Sequence, residues 1–595
     1  MRASLLHRLV PVLFMAFAAF SGEVAEKKDE AKINWVKWTP DLFERAQKEN
    51  KLVILDLEAV WCHWCHVMEE TTYRDPAVGR LMASRYLAVR VDQDSRPDLA
   101  NRYEDYGWPA TVIFAPDGSE LVKRQGYVPP KAMASLLQAV IDDPTPGPSV
   151  RPEAALTAAT ATVLGDERRT ALLKAWTEGY DDTAGGWGFS HKYLDWDSVE
   201  LALHRSTTDP RSAQMARDTL RLQRKLIDPV WGGVYQYSVG GDWNEPHFEK
   251  IMQMQAENLR IYAQAYARWH DPADLASAQA IYGYLRKFLT SPDGVVYTSQ
   301  DADLVPGEHS ADYYAFDDAG RRARGIPRID THIYARENGW VIVALCQLAA
   351  VTGDRTYRDE AVRAARWVLA NRALPAGGFR HDAKDAAGPY LGDTLAMGRA
   401  FLALHQLTQD REWLDHAVAA GQFIGAHFTR GAAVGFASSD TTVNAFPAPR
   451  PQFDENVNLV RWSTALAVTS GRTEFRALAS TALRWLLAPG TTDVHGFYVA
   501  GLLQAEEEAR TDPVHVAVLG PKDNPVAQAM FAAALRQPDT YKLVEWWDRR
   551  EGPAPRGENI YPELERPAAF LCANGACSSP IVSEAALSTR LAKVK

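Results

Sequence analysis

The sequence predicts a multidomain protein with an α/β N-terminal domain, an all-α body closing into an (α/α)6 toroid, and a small C-terminal α/β element. Three observations support this prediction. An apolar strand pattern leads into a Cys-x-x-Cys near the start, a proline-rich segment follows that domain, and long helical patterns separated by glycine-aromatic turns fill the middle. The 595 residues exceed one typical domain, and 46% hydrophobic residues suffice for several cores.

The first residues resemble an export signal. Arg2, His7 and Arg8 precede an apolar run over residues 9–20 that is too short to span a bilayer. We expect a signal peptide over residues 1–22 and, because no cysteine there can carry a lipid, no stable membrane anchor. The mature protein is therefore expected in an exported, oxidising compartment, either periplasmic or secreted.

Charge and cysteine content exclude two classes of protein. A net charge of −10 without a basic stripe argues against a nucleic-acid partner. Five cysteines are too few for a disulfide-stapled scaffold. Cys346 lies alone in an apolar helical run and is predicted to be a buried core thiol.

The strongest chemical signal is the pair Cys62 and Cys65. Residues 52–57 form an apolar, β-branched run that predicts a buried strand, and the cysteines follow within Trp-Cys-His-Trp-Cys-His. A thiolate at Cys62 would lie at a helix N-terminus, where unpaired N–H groups and the helix dipole stabilise it. Cys65, one turn later, can close a disulfide, and protonated His63 and His66 would lower the thiol pKa further.

Other interpretations of these residues remain open. The Cys-x-x-Cys-His pattern also attaches c-type haem, and Cys62, Cys65 and His66 lie on one helix face that could bind a metal. A purely structural disulfide is a third alternative. The preceding strand and the sequence that follows favour dithiol chemistry, so we predict a redox-active disulfide with no metal and no other cofactor.

The segment around the cysteines resembles thioredoxin. Residues 53–65 match the thioredoxin strand that carries an acid six residues before the nucleophile, and Asp56 holds that place. Residues 106–114 resemble the second thioredoxin signature, in which Pro109 takes the position of a cis-proline facing the dithiol. We assign a thioredoxin-like domain to residues 35–142, although Asp56 could also be a simple strand-end residue.

A proline-rich linker over residues 143–152 precedes the helical body, which we assign to residues 153–510. Pairs of helical patterns are separated by recurring glycine-aromatic turns, and repetition at this scale predicts stacked helical hairpins. The turns begin at Gly185, Gly232, Gly294, Gly377, Gly435 and Gly496.

Acids and imidazoles lie beside several of these turns, where loops of a toroid frame its central cavity. They could perform general acid-base chemistry on a sugar or glycan, or serve only as helix caps and loop hydrogen bonds. The candidates for a toroid site are His247, Glu249, Asp301, Asp303, His381 and Asp393.

Residues 511–595 return to strand patterns. Strands are predicted over 514–519, 541–546 and 568–571, with a helix over 525–535. Cys572 and Cys577 follow the last strand, and in an exported protein a disulfide is favoured over a second redox pair or two reduced thiols.

Taken together, these motifs resemble the spermatogenesis-associated protein 20 family. The resemblance rests on residues 62–68, 107–109, 246–250, 300–303, 390–393 and 572–580, and it covers nearly the whole mature chain. It implies a thioredoxin fold joined to an (α/α)6 toroid and supplies no settled substrate. Residues 185–193 and 454–458 match loosely.

The leading functional hypothesis is a thiol-disulfide oxidoreductase acting on protein thiols or disulfides. In it Cys62 attacks, Cys65 resolves, and Asp56 accepts the proton of Cys65. The other predicted site residues assist: Pro109 shapes the groove, Trp61 shields the sulfurs, and His63 stabilises the thiolate. The alternatives are a carbohydrate-processing toroid with an accessory thioredoxin domain, and a non-enzymatic binding protein.

Overall fold

The computed structural model describes residues 32–150, 159–385, 387–429, 435–442, 448–552, 561–562, 564–573 and 576–593. The predicted signal peptide over residues 1–22 and the end of the predicted linker lie outside them. Among the described residues, no helix is long and apolar enough to cross a membrane. The predicted fold class is confirmed, with an α/β domain, a helical toroid and a second α/β layer in that order.

The N-terminal domain is a sheet of order β2-β1-β3-β4 flanked by helices. β1 is buried along most of its length because β2 pairs with it in parallel, β3 pairs antiparallel on its other side, and helices cover both faces. Its elements are α1 (Leu42–Glu49), β1 (Leu52–Glu58), α2 (His63–Thr71), α3 (Pro76–Arg85), β2 (Tyr86–Asp92), α4 (Pro97–Tyr103), β3 (Ala110–Phe114), β4 (Glu120–Gln125) and α5 (Pro130–Asp142).

The helical body contains paired helices joined by loops with two-residue strands. Its helices are α6 (Asp166–Glu178), α7 (Trp196–Arg205), α8 (Pro210–Gln223), α9 (Met252–Trp269), α10 (Pro272–Phe288), α11 (Ala311–Tyr314), α12 (Asp318–Arg324), α13 (Ala335–Thr352), α14 (Arg355–Arg372), α15 (Leu391–Thr408), α16 (Arg411–His427), α17 (Phe453–Ser470), α18 (Glu474–Leu486) and α19 (Ala500–Arg510). Its strands are β5 (Tyr237–Ser238), β6 (Pro246–His247), β7 (Lys250–Ile251), β8 (Ser299–Gln300) and β9 (Ile329–Asp330).

Six of these described helices form a closed inner ring. Helices α7, α9, α13, α15, α17 and α19 contact one another in that order, and α19 returns to α7. Helices α8, α10, α14, α16 and α18 each pack outside the preceding inner helix, while α6 packs on α19. Inner helices such as α9 and α13 are buried at most positions, whereas the outer α14 and α18 are amphipathic. The predicted six-hairpin toroid is therefore present.

The glycine-aromatic turns join an outer helix to the next inner one. Gly233 has φ +77°, and a Cβ there would lie 2.4 Å from the ring of Tyr284. Only glycine allows this backbone conformation together with close packing on an aromatic ring. The predicted scaffold role of the turns agrees with this packing.

The C-terminal unit has a sheet of order β11-β10-β12-β13. Its elements are β10 (Val514–Leu519), α20 (Pro525–Leu535), β11 (Lys542–Trp547), β12 (Ala568–Ala573), β13 (Ala576–Cys577) and α21 (Glu584–Leu591). The first strand pairs in parallel with the second and antiparallel with the third, which pairs antiparallel with the fourth. The N-terminal sheet has the same pattern, so the chain carries two units of one strand topology.

These two units cover opposite ends of the toroid. The N-terminal domain contacts segments that precede inner helices, as in the hydrogen bonds of Gln452 to Glu104 and of His381 to Asp94. The C-terminal unit contacts the far end of α15, where Gln406 and Gln409 donate to carbonyl oxygens of β11. The dithiol motif consequently lies at the end of the toroid where the inner helices begin.

Candidate functional site

The two cysteines lie where β1 leads into α2. Cys62 is the N-cap of α2, and its sulfur accepts a hydrogen bond of 3.1 Å from the Cys65 backbone N–H. The two sulfurs are joined in a disulfide, with Cα atoms 5.3 Å apart. On reduction, the Cys65 N–H and the positive end of the helix dipole would stabilise a thiolate at Cys62.

Both histidines of the motif bind one carboxylate of the toroid. His63 Nδ1 lies 2.7 Å from Asp303 Oδ1, and His66 Nδ1 lies 3.1 Å from Asp303 Oδ2. The Gly307 backbone N–H also donates to Asp303 Oδ2 at 2.8 Å. The dithiol and a residue predicted for a separate toroid site therefore form one site.

Asp303 and each of the two histidines favour each other's charged form. Burial opposes protonation of His63 and His66, but the hydrogen bonds and charge of Asp303 outweigh it, so the pKa of each imidazole is raised. Burial alone would raise the pKa of Asp303, yet the two histidines lower it below its ordinary value. The arrangement favours two imidazolium ions around one carboxylate next to the disulfide.

Two more predicted toroid acids lie beside the motif. Asp301 Oδ2 is 3.7 Å from His66 Nε2, and burial raises the pKa of Asp301 to about 7. The His63 backbone N–H donates to Glu249 Oε1 at 3.5 Å. His247 Nδ1 lies 3.8 Å from Glu249 Oε2, and the His247 ring stacks on the ring of Tyr237.

A second contact links Trp61 to the two remaining predicted toroid residues. The Trp61 indole N–H donates to Asp94 Oδ2 at 2.7 Å, and His381 Nε2 lies 2.6 Å from the Asp94 carbonyl oxygen. His381 Nδ1 lies 2.9 Å from Asp393 Oδ1. The Asp94 carbonyl oxygen and the Asp393 carboxylate are both hydrogen-bond acceptors for the His381 ring. Burial opposes protonation of His381, but Asp393 raises the pKa of His381 above its ordinary value. His381 and Asp393 thus hold the N-terminal domain in place, and Asp94 connects His381 to Trp61 beside the cysteines.

Asp56 lies within β1 and is 2% exposed. Burial raises its pKa, although the Arg90 guanidinium, whose Nε is 3.2 Å from Asp56 Oδ2, opposes that change. Arg90 also forms ion pairs with Glu58 and Glu69. A buried carboxyl with a raised pKa has a property that a proton acceptor for a thiol requires.

The disulfide is covered by apolar side chains from both domains. Cys62 and Cys65 are 3% and 4% exposed, and Trp61, Trp108 and Ile251 pack around them. Trp108 leads into Pro109 through a cis peptide bond, at the position where the sequence predicts a cis-proline. Ile251 belongs to the toroid, so the toroid itself closes part of the dithiol surface.

His66, Asp301 and Asp303 also form the single group in the described chain whose ligand atoms, all within 4.8 Å of one another, could hold a metal ion. Asp303 already accepts three hydrogen bonds, from His63, His66 and Gly307. The cysteines of the metal-binding alternative are bonded to each other. We interpret the group as a network of charged hydrogen bonds.

Sequence reasoning missed Asp94 and Arg90. One signal was available for Asp94. It comes directly after β2, which is parallel to β1, and carboxyl ends of parallel strands meet at one sheet edge. The cysteines follow β1 at that same edge.

The remaining cysteines agree with their predictions. Cys572 and Cys577 form a disulfide between the paired strands β12 and β13. Cys346 is a free thiol, 5% exposed, on α13.

Comparison with known proteins finds similarities in several parts of the chain. The sequence pattern of a family described as "Protein of unknown function, DUF255" matches residues 21–142. Spermatogenesis-associated protein 20 of Mus musculus is 29% identical over 310 residues, which are 46% of this chain and 39% of that protein. The chain therefore matches about two fifths of the length of that relative.

Thioredoxin H7 of Arabidopsis thaliana is 35% identical over 100 residues, which are 16% of this chain and 71% of that protein. Among solved structures, a sugar epimerase from a ruminal bacterium aligns with 57% of this chain and 96% of its own, at a TM-score of 0.44 and 15% identity. A D-mannose isomerase aligns with 58% of this chain and 98% of its own, at a TM-score of 0.44 and 11% identity.

Proposed function

We propose that the chain is a thiol-disulfide oxidoreductase of the spermatogenesis-associated protein 20-like family, and that its dithiol is tuned by its own toroid. One observation carries the proposal. The Cys62–Cys65 disulfide begins a helix, and its flanking histidines are bound to Asp303 of the toroid.

The proposed reaction is a two-step exchange. In the reduced protein, the Cys62 thiolate attacks a substrate disulfide, forms a mixed disulfide and releases one substrate thiolate. The Cys65 thiolate then attacks the Cys62 sulfur, releases the second substrate thiolate and closes the protein disulfide. Two electrons pass from the dithiol to the substrate, and a thiol reductant such as glutathione restores the dithiol. The reverse sequence oxidises a substrate dithiol.

Proton movements follow the charges in the site. Imidazolium at His63 and His66 stabilises the Cys62 thiolate, and the Asp303 carboxylate keeps both rings charged. Asp56, with its raised pKa, accepts the proton that Cys65 must lose before it attacks.

The burial of the two sulfurs limits the size of the substrate that can reach them. Cys62 is 3% exposed beneath the toroid, so a folded protein cannot bring its disulfide to the sulfur in this arrangement. We propose that small disulfides exchange directly, and that a protein substrate presents an extended segment. An exported, oxidising compartment is the proposed location.

The sugar-processing alternative finds less support. The carboxylates predicted to act on a sugar, Glu249, Asp301 and Asp303, are directed at the dithiol motif. His381 and Asp393 are 1% and 0% exposed and hold the N-terminal domain in place. Their positions favour redox chemistry at the junction of the domains.

A glutathione redox titration of the full mature chain tests the proposal. Alkylated thiols are counted by peptide mass at each ratio of reduced to oxidised glutathione. We expect a reversible two-electron transition at Cys62 and Cys65 within the glutathione range, and a mixed disulfide that accumulates in Cys65→Ser but not in Cys62→Ser. A pair that stays oxidised or reduced at every ratio would contradict the proposal.

A further inference from the structure

A cavity of about 180 Å³ lies between the toroid and the C-terminal unit. Its walls come from the inner helices and its floor from residues 535–544 of the C-terminal unit. The lining residues on α13, α15 and α17 belong mainly to the second halves of those helices, whereas the dithiol faces the segments before the inner helices. The cavity is thus a separate site at the other end of the toroid.

Three arginines from the inner helices α9, α15 and α17 line this cavity, but only two of them are paired. Arg260 donates to Glu257 and Glu200, and Arg461 donates to Glu200 and Glu508. The third is Arg399 on α15. Across the part of the chain that the structure describes, Arg399 makes no hydrogen bond and no ion pair within 4 Å of a carboxylate.

Two further lining residues offer positive charge or a free donor. Lys542 Nζ donates to the carbonyl oxygens of Leu535 and Gln537 and pairs with no described carboxylate. Trp462 is 3% exposed, and its indole N–H has no acceptor among the described residues. A half-buried guanidinium without a partner is costly unless a ligand or water satisfies it.

We propose that this cavity binds a small anion through a phosphate or carboxylate group held by the Arg399 guanidinium. The planar fork of arginine matches both groups through two parallel hydrogen bonds. The volume suits a molecule of the size of an organic acid or a sugar phosphate, and the Trp462 and Tyr541 side chains border it. This ligand site is independent of the dithiol and of its proposed reaction.

Calorimetry on the full mature chain tests the proposal with three probes: inorganic phosphate, glucuronate and uncharged glucose, all in chloride buffer. We expect saturable binding of phosphate or glucuronate and none of glucose. Phosphate alone would identify a phosphorylated ligand class, and glucuronate alone a carboxylated one. If neither anion binds the wild-type protein, the proposal is overturned.

Substitutions assign the binding to the arginine. Arg399→Gln should weaken anion binding at least about 10-fold, the scale of one charge-assisted hydrogen-bonded pair, and Arg399→Lys should lose less. Arg366→Gln is the matched control, because Arg366 lies on the outer helix α14 and pairs with Glu412. Equal affinity in Arg399→Gln and wild type would overturn the assignment.

Chemical modification of arginine tests the proposal on the wild-type protein, without a variant. Phenylglyoxal modifies accessible arginines, and a bound anion should protect Arg399 from modification, as read by peptide mass. Modification of Arg399 at the same rate with and without saturating anion would contradict the proposal, even if Arg399→Gln failed to fold.

Discussion

The Nδ1 atom of His63 lies 2.7 Å from Oδ1 of Asp303, although 240 residues separate the two in sequence. One belongs to the dithiol motif and the other to a loop of the toroid. The contact makes the electrostatics of the cysteines a property of both domains, and the predictions below test this and the scaffold that supports it.

Replacing Asp303 should make the Cys62 thiol less acidic. In Asp303→Asn the two imidazoles lose the carboxylate whose hydrogen bonds and charge raise their pKa, so they hold less positive charge beside the sulfur. We expect the thiol pKa to rise by about one unit. The pH dependence of Cys62 alkylation by iodoacetamide measures it. Asp293→Asn, at an exposed turn, is the control, and an unchanged or lower pKa would contradict the coupling.

The protein should be more stable at pH 5 than at pH 8. The pKa values of His63 and His66 are raised in the folded state, so their stabilisation is complete below about pH 6.5 and is lost as the pH rises through the raised values. Burial raises the pKa of Asp94 and Asp301 to about 7, so the folded state also holds protons there that the unfolded chain releases near pH 4.

The stabilising contribution of Asp303 has the opposite pH dependence and is lost at low pH. Its pKa is lowered, so its contribution is present above about pH 4 and is lost as the pH falls through the folded value. Thermal unfolding followed by circular dichroism should therefore show a maximum in the midpoint between about pH 4 and 6.5. A midpoint that increases from pH 5 to pH 8 would show that these protons are not held in the folded protein.

Removing the central carboxylate of a buried ion triplet should destabilise the toroid strongly. Asp228 Oδ2 accepts from Lys250 Nζ at 2.8 Å and from Arg321 Nη1 at 2.7 Å, and all three side chains are 0% exposed. Asp228→Asn leaves two buried cations without a carboxylate, which should cost about 3 to 5 kcal/mol. Urea unfolding measures the loss. Asp218→Asn, whose partner Arg221 is on the surface, should change stability by less than about 0.5 kcal/mol.

A pair of alanine substitutions, one at the α13 C-cap Gly353 and one in the glycine turn at Gly233, separates backbone strain from crowding. Gly353 has φ +74° with nothing within 4 Å of an added Cβ, so Gly353→Ala should cost about 1 to 2 kcal/mol from backbone strain alone. Gly233→Ala adds a clash with the Tyr284 ring at 2.4 Å and should cost roughly 2 kcal/mol more. Equal effects in urea unfolding would mean that the ring moves aside freely.

Local patterns predicted the elements well. Strand β10 and helix α20 begin and end at the predicted residues, because apolar runs and turn residues define them within a few positions. The Cys572–Cys577 disulfide, which the expectation of an exported chain favours, is present.

Long-range relationships could not be predicted in the same way. The sequence offers Asp301 and Asp303 as candidates for a toroid site because they follow a turn of the toroid, and nothing near them in sequence indicates His63 or His66. Domain docking depends on complementary surfaces that one sequence does not display. The shared topology of the two sheets depends on strand pairing between distant segments, which periodicity does not specify.

The bond between His63 and Asp303 also has an evolutionary consequence. A lineage that replaced His63 would leave the buried Asp303 carboxylate with one partner fewer. A lineage that replaced Asp303 would leave an imidazole with a lower pKa beside the disulfide. Substitutions at the two positions should therefore occur together across related sequences, and recombination that exchanged one domain alone would be selected against.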